Sequence, residues 1–261
     1  MNERMAISQI GGVSLNRPIG EAEQKLRVEL AAAFRIAHHL AWSLDTLNHI
    51  TLRIEGTDTF LMNPLGLGWD EITASSLVTA SYDGRILSHS GVRLAPAGFN
   101  FHSGILKARP DINCVIHTHE EAGTVVGASE DPLLIFDQGG CRLFEEVGYH
   151  AFEGLANQDE VPRILRDLGH RHALIMRNHG LLSVGASVGE AFGWMRALVD
   201  ACTLQERVLA TGRRYKTIPE DLQKHTKMQM AGNNRGNAPR EDHSWQYFLR
   251  LADRLDPGFA S

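Results

Sequence analysis

Two patterns of apolar residues run along this 261-residue chain, and the changes between them predict its elements. From Glu21 to Ala41 apolar residues recur every three or four positions, which is typical of an amphipathic helix. The same spacing from Ser187 to Thr211 predicts a long helix, which Gly212 ends. Shorter helices are predicted at 101–108, 120–126 and 161–168, and another begins at 245–250.

Short apolar runs bounded by turn residues predict the strands between these helices. They lie at 47–54, 59–62, 77–81, 112–118, 172–177 and 181–185. Residues 1–21 show no period and are predicted to form an N-terminal arm, followed by one domain at 22–212. Residues 213–261 are predicted to be a polar segment with a short helix, part of the same domain or of oligomer contacts, and 215–240 to be mobile.

Composition narrows the functional class. A hydrophobic content of 43% and a charged content of 22% are those of an ordinary globular protein. A net charge of −5 argues against a nucleic-acid partner, and no apolar run approaches the roughly 20 residues that span a membrane. The N-terminus lacks the features of a signal peptide, and three cysteines without a pattern suggest reduced thiols. We therefore expect a cytoplasmic protein.

The stretch His117-Thr118-His119 carries the clearest chemistry in the chain. It ends an apolar run, and two histidines at i and i+2 of an extended segment point to the same face. His179 lies at the end of a later apolar run. Three neutral imidazoles with an open position are the ligand set of a catalytic zinc-type site. The sequence therefore predicts one divalent ion, with zinc preferred and manganese, iron or cobalt as alternatives.

The competing interpretation is structural, with one exposed histidine and two core histidines in strands. Other chemistry has little support in the sequence. Gly66-x-Gly68 lacks the third glycine of a dinucleotide site and does not lie between a strand and a helix.

An ordered set of motifs resembles the class II aldolase/adducin family. These motifs are Asn48-His49-Ile50-Thr51-Leu52-Arg53, Asn63-Pro64-x-Gly66, Asp83-Gly84, Ala97-Gly98-Phe99-x-x-His102, Ala108-Arg109-Pro110-Asp111, His117-x-His119, Asn178-His179-Gly180 and Gly189-Glu190-Ala191-Phe192. The resemblance covers roughly residues 22–212 and implies an α/β protein, with a three-layer α/β/α fold around a mostly antiparallel central sheet. It also implies a homotetramer with active sites at subunit interfaces, and His117, His119 and His179 as ligands of zinc.

One departure from the aldolase branch bears on the substrate. That branch carries Ser-Ser-Glu before the first zinc-ligand histidine, with the serines on substrate phosphate and the glutamate as acid/base or ligand. This chain has Pro96-Ala97-Gly98 there. The sequence is similar instead to the adducin-like branch, which includes non-catalytic adducin heads and bacterial metal-dependent decarboxylases. Adducin heads generally do not keep the three histidines, and this chain does.

The combined prediction is a metal-dependent lyase that cleaves a carbon–carbon bond of a small hydroxy- or oxo-carboxylate. Decarboxylation is preferred and aldol cleavage comes next. Candidate catalytic residues are His49, Glu120, Tyr149 and His150, and candidate substrate-binding residues are Gly98 and His102. Each could instead be structural, Glu120 for example as a first-turn helix residue. The alternatives are a non-catalytic adducin-type interaction module and a three-histidine Fe(II) oxygenase.

Overall fold

The computed structural model describes residues 18–89, 91–154, 158–232 and 240–261. The strands are β1 (His49–Ile54), β2 (Thr59–Met62), β3 (Val78–Ser81), β4 (Cys114–Thr118), β5 (Val147–His150), β6 (Ala173–Met176) and β7 (Gly180–Gly185). The helices are α1 (Glu21–His39), α2 (Pro96–Ala108), α3 (Glu121–Ala128), α4 (Val161–Leu168), α5 (Val188–Ala210), α6 (Glu220–Gly232) and α7 (Arg240–Leu255).

The strands form one sheet of seven in the order β3-β2-β1-β4-β7-β6-β5. Every neighbouring pair is antiparallel except β5 and β6, which run parallel. The predicted mostly antiparallel sheet is confirmed. Strand β4 lies in the middle, so its side chains are buried along the whole strand.

Two separate apolar cores cover the two faces of this sheet. Cys114 and Ile116 belong to the core shared with α1, α3, α5 and α7. Val115, between them in sequence, belongs to the core shared with α2 and α4. This alternation follows from the two-residue period of a strand. The predicted three-layer α/β/α arrangement is therefore confirmed.

Two predicted elements differ from the structure around the second core. Helix α2 begins at Pro96 and not at Phe101, because proline is favoured in the first turn, where its missing N–H has no partner to lose. Strand β5 was not predicted, since it has only four residues and one of them is Gly148. A β-carbon on Gly148 would lie 2.4 Å from the carbonyl oxygen of Asp167. Glycine therefore allows this edge strand to pack closely against α4.

The prediction of a mobile segment at 215–240 is wrong over residues 220–232, which form α6. The segment has two lysines, two glutamines and two methionines, and these residues are strong helix formers even without an apolar stripe. Lys227 also anchors the helix, because its ammonium donates to the carbonyl oxygen of Phe144 and to the carboxylate of Glu146. Residues 233–239 and 1–17 of the predicted arm lie outside the described residues.

The three cysteines Cys114, Cys141 and Cys202 are buried and form no disulfide. Burial raises the pKa of the Cys114 and Cys202 thiols, which keeps them protonated and unreactive. Within the described ranges, no helix combines the length and the apolar character that crossing a membrane requires.

Arg27 fastens the first helix to the edge of the sheet. Its guanidinium is fully buried and donates to the Glu23 carboxylate at 2.8 Å, to the Thr79 hydroxyl at 2.6 Å and to the carbonyl oxygen of Leu77 at 2.6 Å. A buried charge is tolerated only when its hydrogen bonds are satisfied in this way.

We predict that Arg27→Met lowers the free energy of unfolding by about 3–5 kcal/mol, because it removes one partner of a buried ion pair. The matched control is Arg196→Met. Arg196 forms an exposed i,i+4 ion pair with Asp200, and pairs of this kind contribute less than about 1 kcal/mol. Urea unfolding of both variants measures the difference, and equal losses would contradict the anchoring role of Arg27.

Candidate metal centre

His117 lies at the end of the central strand β4, with its ring on the α2 and α4 side of the sheet. It is 1% exposed, and its backbone pairs with His49 of β1 on one side and Leu182 of β7 on the other. Its Nδ1 lies 2.9 Å from the carbonyl oxygen of Leu181. Because a carbonyl only accepts, Nδ1 carries the proton and Nε2 keeps its lone pair for a ligand.

The structure brings the three predicted ligands together. The Nε2 atoms of His117 and His119 are 3.0 Å apart, and the candidate ligand atoms of these two and His179 all lie within 4.8 Å of one another. Two nitrogens held by one zinc ion at about 2.1 Å are themselves roughly 3–3.4 Å apart. The three histidines are the one cluster of potential metal ligands found among the described residues.

His179 reaches this cluster from the turn between β6 and β7. Asn178 adopts a φ of 54°, a left-handed conformation that asparagine tolerates better than most residues. A β-carbon on Gly180 would lie 2.3 Å from the carbonyl oxygen of Thr118. Only glycine therefore lets this turn approach the end of β4, which accounts for the Asn178-His179-Gly180 motif.

Burial keeps these imidazoles neutral. It lowers the pKa of His117 well below its usual value and also lowers the pKa of His119. Burial and the neighbouring His119 and His150 lower the pKa of His179 to about 4. Neutral imidazoles present lone pairs, so the cluster suits a cation and does not itself carry positive charge.

A cavity of about 260 Å³ opens beside the three histidines. Its walls are mainly apolar and include Leu47, Leu65, Ala95, Ala97, Phe101, Val161 and Met176. Counting only residues that the structure describes, its single carboxylate belongs to Glu160, and no lysine or arginine lines it. The cavity therefore fits a small ligand with an apolar body and a few polar atoms facing the histidines.

His49 forms one wall of this cavity. Its ring lies nearly parallel to that of His117, with the centroids 6.3 Å apart, and it is 7% exposed. Neither ring nitrogen has a hydrogen-bond partner among the described protein atoms. A β-carbon on Gly98 would lie 2.5 Å from Nδ1 of His49, so the glycine makes the room that this ring fills. Burial, His119 and His179 lower the pKa of His49 to about 4.

His102, the other predicted substrate contact, lies behind His49 as seen from the cavity. His102 is fully buried and does not line the cavity. Its Nδ1 is 2.9 Å from the Thr51 hydroxyl, and its ring centroid is 5.9 Å from that of His49. His102 therefore supports His49 from the protein side, and a direct contact with substrate does not fit its position.

The remaining catalytic candidates have structural partners. The Glu120 carboxylate caps α3 by accepting from the backbone N–H groups of Ala122 and Gly123. The Tyr149 hydroxyl accepts from the N–H of Leu133 on the opposite face of the sheet, away from the cavity. His150 is buried between the carboxylates of Asp167 and Glu160. None of these three candidates lines the cavity.

Sequence reasoning missed two residues of the cavity. Phe101 packs edge-on against His117, with the ring centroids 5.2 Å apart. Glu160 ends the short 3-10 turn Gln158–Glu160 before α4. No motif marks either residue, and the bonding of His150 to Glu160 across ten positions is visible only in the fold.

Comparison with known families shows which family this chain belongs to. Residues 28–205 match the family described as Class II Aldolase and Adducin N-terminal domain. The chain belongs to this family. The family predicted from the motifs is thus confirmed.

Relatives in this family share most of the chain. A Caulobacter vibrioides protein named "Putative aldolase class 2 protein" is 37% identical over 259 residues, 98% of this chain and 100% of that one. Alpha-adducin of Rattus norvegicus is 39% identical over 247 residues, 90% of this chain but 34% of the adducin. The structure of an aldolase II superfamily protein from Pseudomonas syringae has a TM-score of 0.85 at 34% identity, covering 93% of this chain and 98% of that one.

The lowered pKa of His49 predicts a specific pH dependence of stability. In the unfolded chain the His49 imidazole becomes protonated below pH 6.5, whereas in the folded protein it stays neutral down to about pH 4. The stabilising contribution of His49 is therefore lost as the pH falls between these two values. We expect the difference in unfolding free energy between the wild type and His49→Gln to shrink by about 2–3 kcal/mol from pH 7 to pH 4.5.

Urea unfolding of the metal-free proteins at the two pH values measures this change. His225→Gln is the control, because His225 is exposed on α6. Parallel pH profiles for the wild type and His49→Gln would contradict the burial of a neutral His49.

Proposed function

We propose that this protein is a divalent-metal-dependent lyase that cleaves a carbon–carbon bond of a small hydroxy- or oxo-carboxylate. Decarboxylation is the preferred reaction and aldol cleavage the next. The observation that carries the proposal is the convergence of three neutral imidazoles on a mainly apolar cavity, which no lysine or arginine of the described residues lines.

The three histidines fit a divalent ion. The proton on Nδ1 of His117 is held by the Leu181 carbonyl, so its Nε2 is available, and three imidazoles leave positions for substrate oxygens. A bound ion would act as a Lewis acid and stabilise the negative charge that develops on those oxygens as the bond breaks. We propose zinc, with manganese, iron or cobalt as alternatives, since imidazole suits all of them.

His49 supplies a hydrogen bond across the cavity from the three ligands. A neutral imidazole donates from one nitrogen and accepts at the other, and both nitrogens of His49 lack a partner within the described protein. A substrate hydroxyl or carboxylate oxygen would satisfy one of them. The apolar walls exclude water from the reacting atoms and strengthen this hydrogen bond.

The same cavity disfavours a phosphorylated sugar. A phosphate dianion needs several hydroxyl or amide donors or a cation, and Pro96, Ala97 and Gly98 offer no side-chain donor. A carboxylate carries only one charge, and its oxygens can chelate an ion together with an adjacent hydroxyl or carbonyl. The architecture therefore supports a carboxylate substrate over a sugar phosphate.

We also propose a homotetramer. Several large apolar side chains near the cavity mouth are exposed, among them Leu47 at 52%, Leu65 at 41% and Phe152 at 50%. Packing of a second subunit against this rim would bury them and complete the wall of the cavity.

A non-catalytic interaction module is the second candidate function. The observation that favours it is the 39% identity to rat alpha-adducin. A metal-loaded protein that transforms no carboxylate would support this alternative. A three-histidine Fe(II) oxygenase would instead consume oxygen, so parallel aerobic and anaerobic assays separate it from a lyase.

We expect about one divalent ion per chain in protein purified without a chelator. His117→Ala, His119→Ala and His179→Ala should each lower the metal content by at least about tenfold, because each removes one of only three protein ligands. His225→Ala should leave it unchanged, since this histidine is exposed on α6. Elemental analysis gives the result, and full metal content in the His117→Ala variant would overturn the proposed centre.

We expect CO₂ release from at least one hydroxy-carboxylate when a panel of such acids is supplied to the metal-loaded protein. Sugar phosphates should be cleaved at least about a hundredfold more slowly, because nothing at residues 96–98 neutralises the phosphate. Coupled detection of CO₂ and of aldehyde products measures both reactions. Efficient cleavage of a sugar phosphate would contradict the substrate class.

A further inference from the structure

Glu160 has a position that the proposed reaction can use. It is the one carboxylate that lines the cavity within the described part of the chain. Its side chain is 13% exposed, and it ends the turn that leads into α4. The neighbouring Asp159 is exposed and does not line the cavity.

His150 holds this carboxylate in place. Its Nε2 lies 3.2 Å from Oε1 of Glu160, and its Nδ1 lies 2.8 Å from Oδ2 of Asp167. The imidazole is 1% exposed, on the face of β5 that looks towards α4. Asp167 is bonded in turn by the Arg166 guanidinium. The chain Glu160–His150–Asp167 therefore runs from the cavity towards the protein surface.

Cleavage beside a carbonyl leaves an electron pair on carbon, and that carbon must receive a proton. Gly98 has no side chain to supply one. The nitrogens of the three clustered histidines are committed as ligands in the proposed function. His49 hydrogen-bonds a substrate oxygen in the proposed function, since neither of its ring nitrogens has a partner among the described protein atoms. The cavity needs another carrier of protons, and a carboxylic acid is well suited to this role.

We propose that Glu160 is the acid/base catalyst of this cavity and that His150 is its positioning residue. The inference rests on the lyase function proposed above. As CO₂ leaves, the bond between the carboxyl carbon and the neighbouring carbon breaks and its electron pair stays on the latter. Protonated Glu160 then transfers its proton to that carbon and regains one from water, so one proton is consumed per CO₂ released.

The test uses a probe that needs no knowledge of the natural substrate. Pyruvate is a small oxo-carboxylate whose methyl protons exchange with solvent deuterium through an enolate. In the exchange, Glu160 in its carboxylate form takes a methyl proton, the C–H electron pair forms the carbon–carbon double bond, and the carbonyl π pair moves onto the carbonyl oxygen. The Glu160 carboxyl then exchanges its proton with D₂O, and the reverse step delivers deuterium to the carbon. ¹H NMR of the zinc-loaded full-length protein in D₂O follows the loss of the methyl signal.

We expect Glu160→Gln to slow this exchange by about 10²-fold or more, as for the loss of a general base. Asp159→Asn, which removes the adjacent exposed carboxylate, should change it by less than about threefold. Zinc content per chain, and the dissociation constant for oxalate as a non-exchanging enolate mimic, should be similar in both variants. These two readouts separate loss of proton transfer from loss of the metal or of the fold.

Two amide variants test the positioning role of His150. The amide nitrogen of glutamine can replace Nε2, and that of asparagine can replace Nδ1. His150→Gln can therefore keep the contact with Glu160, whereas His150→Asn can keep only the contact with Asp167. We expect His150→Gln to retain exchange within about fivefold and His150→Asn to lose most of it, with the oxalate affinity of both unchanged. Equal losses in the two variants would overturn the positioning role.

The inference on Glu160 and the proposed function fail in different ways. Exchange or CO₂ release that survives in Glu160→Gln would overturn the catalytic role of Glu160 and leave the lyase function standing. Wild-type exchange no faster than with zinc in buffer would also overturn that role. A wild-type protein that binds neither zinc nor oxalate would overturn the lyase function itself.

Discussion

The close approach of the β6–β7 turn to the end of β4 is the constraint on which the candidate centre depends. The backbone of the turn contacts the backbone of β4, because Gly180 has no side chain to hold it away from the carbonyl oxygen of Thr118. The approach sets the Leu181 carbonyl against His117 and directs His179 towards it. The candidate ligands are thus positioned by strand pairing at the end of β4 and by the turn beside it.

Electrostatics and shape act together in the surrounding cavity. Histidines that would repel one another when protonated are kept neutral by burial, so their clustering costs little while they stay neutral. Ala97 and Gly98 line one wall of the cavity and offer no polar side chain. The cavity thus combines a cluster of neutral imidazoles with mainly apolar walls.

Much of this arrangement could be read from the sequence. The two-residue period of a strand pairs His117 with His119, and the ordered motifs predict the three-layer fold. Contacts between distant segments could not be read in the same way. The fit of His49 against Gly98 joins β1 to α2, and the bond from His150 to Glu160 joins an unpredicted edge strand to a turn. Such contacts depend on how the layers pack, which local patterns do not specify.

The fit of His49 against Gly98 also constrains how this protein can change over evolutionary time. A β-carbon at position 98 would overlap the His49 imidazole, so a larger residue does not fit there while His49 keeps its place. Replacing His49 by a smaller residue first would leave a cavity beside His117 and expose His102. The two positions are therefore coupled, and each single step is harmful although the double change need not be.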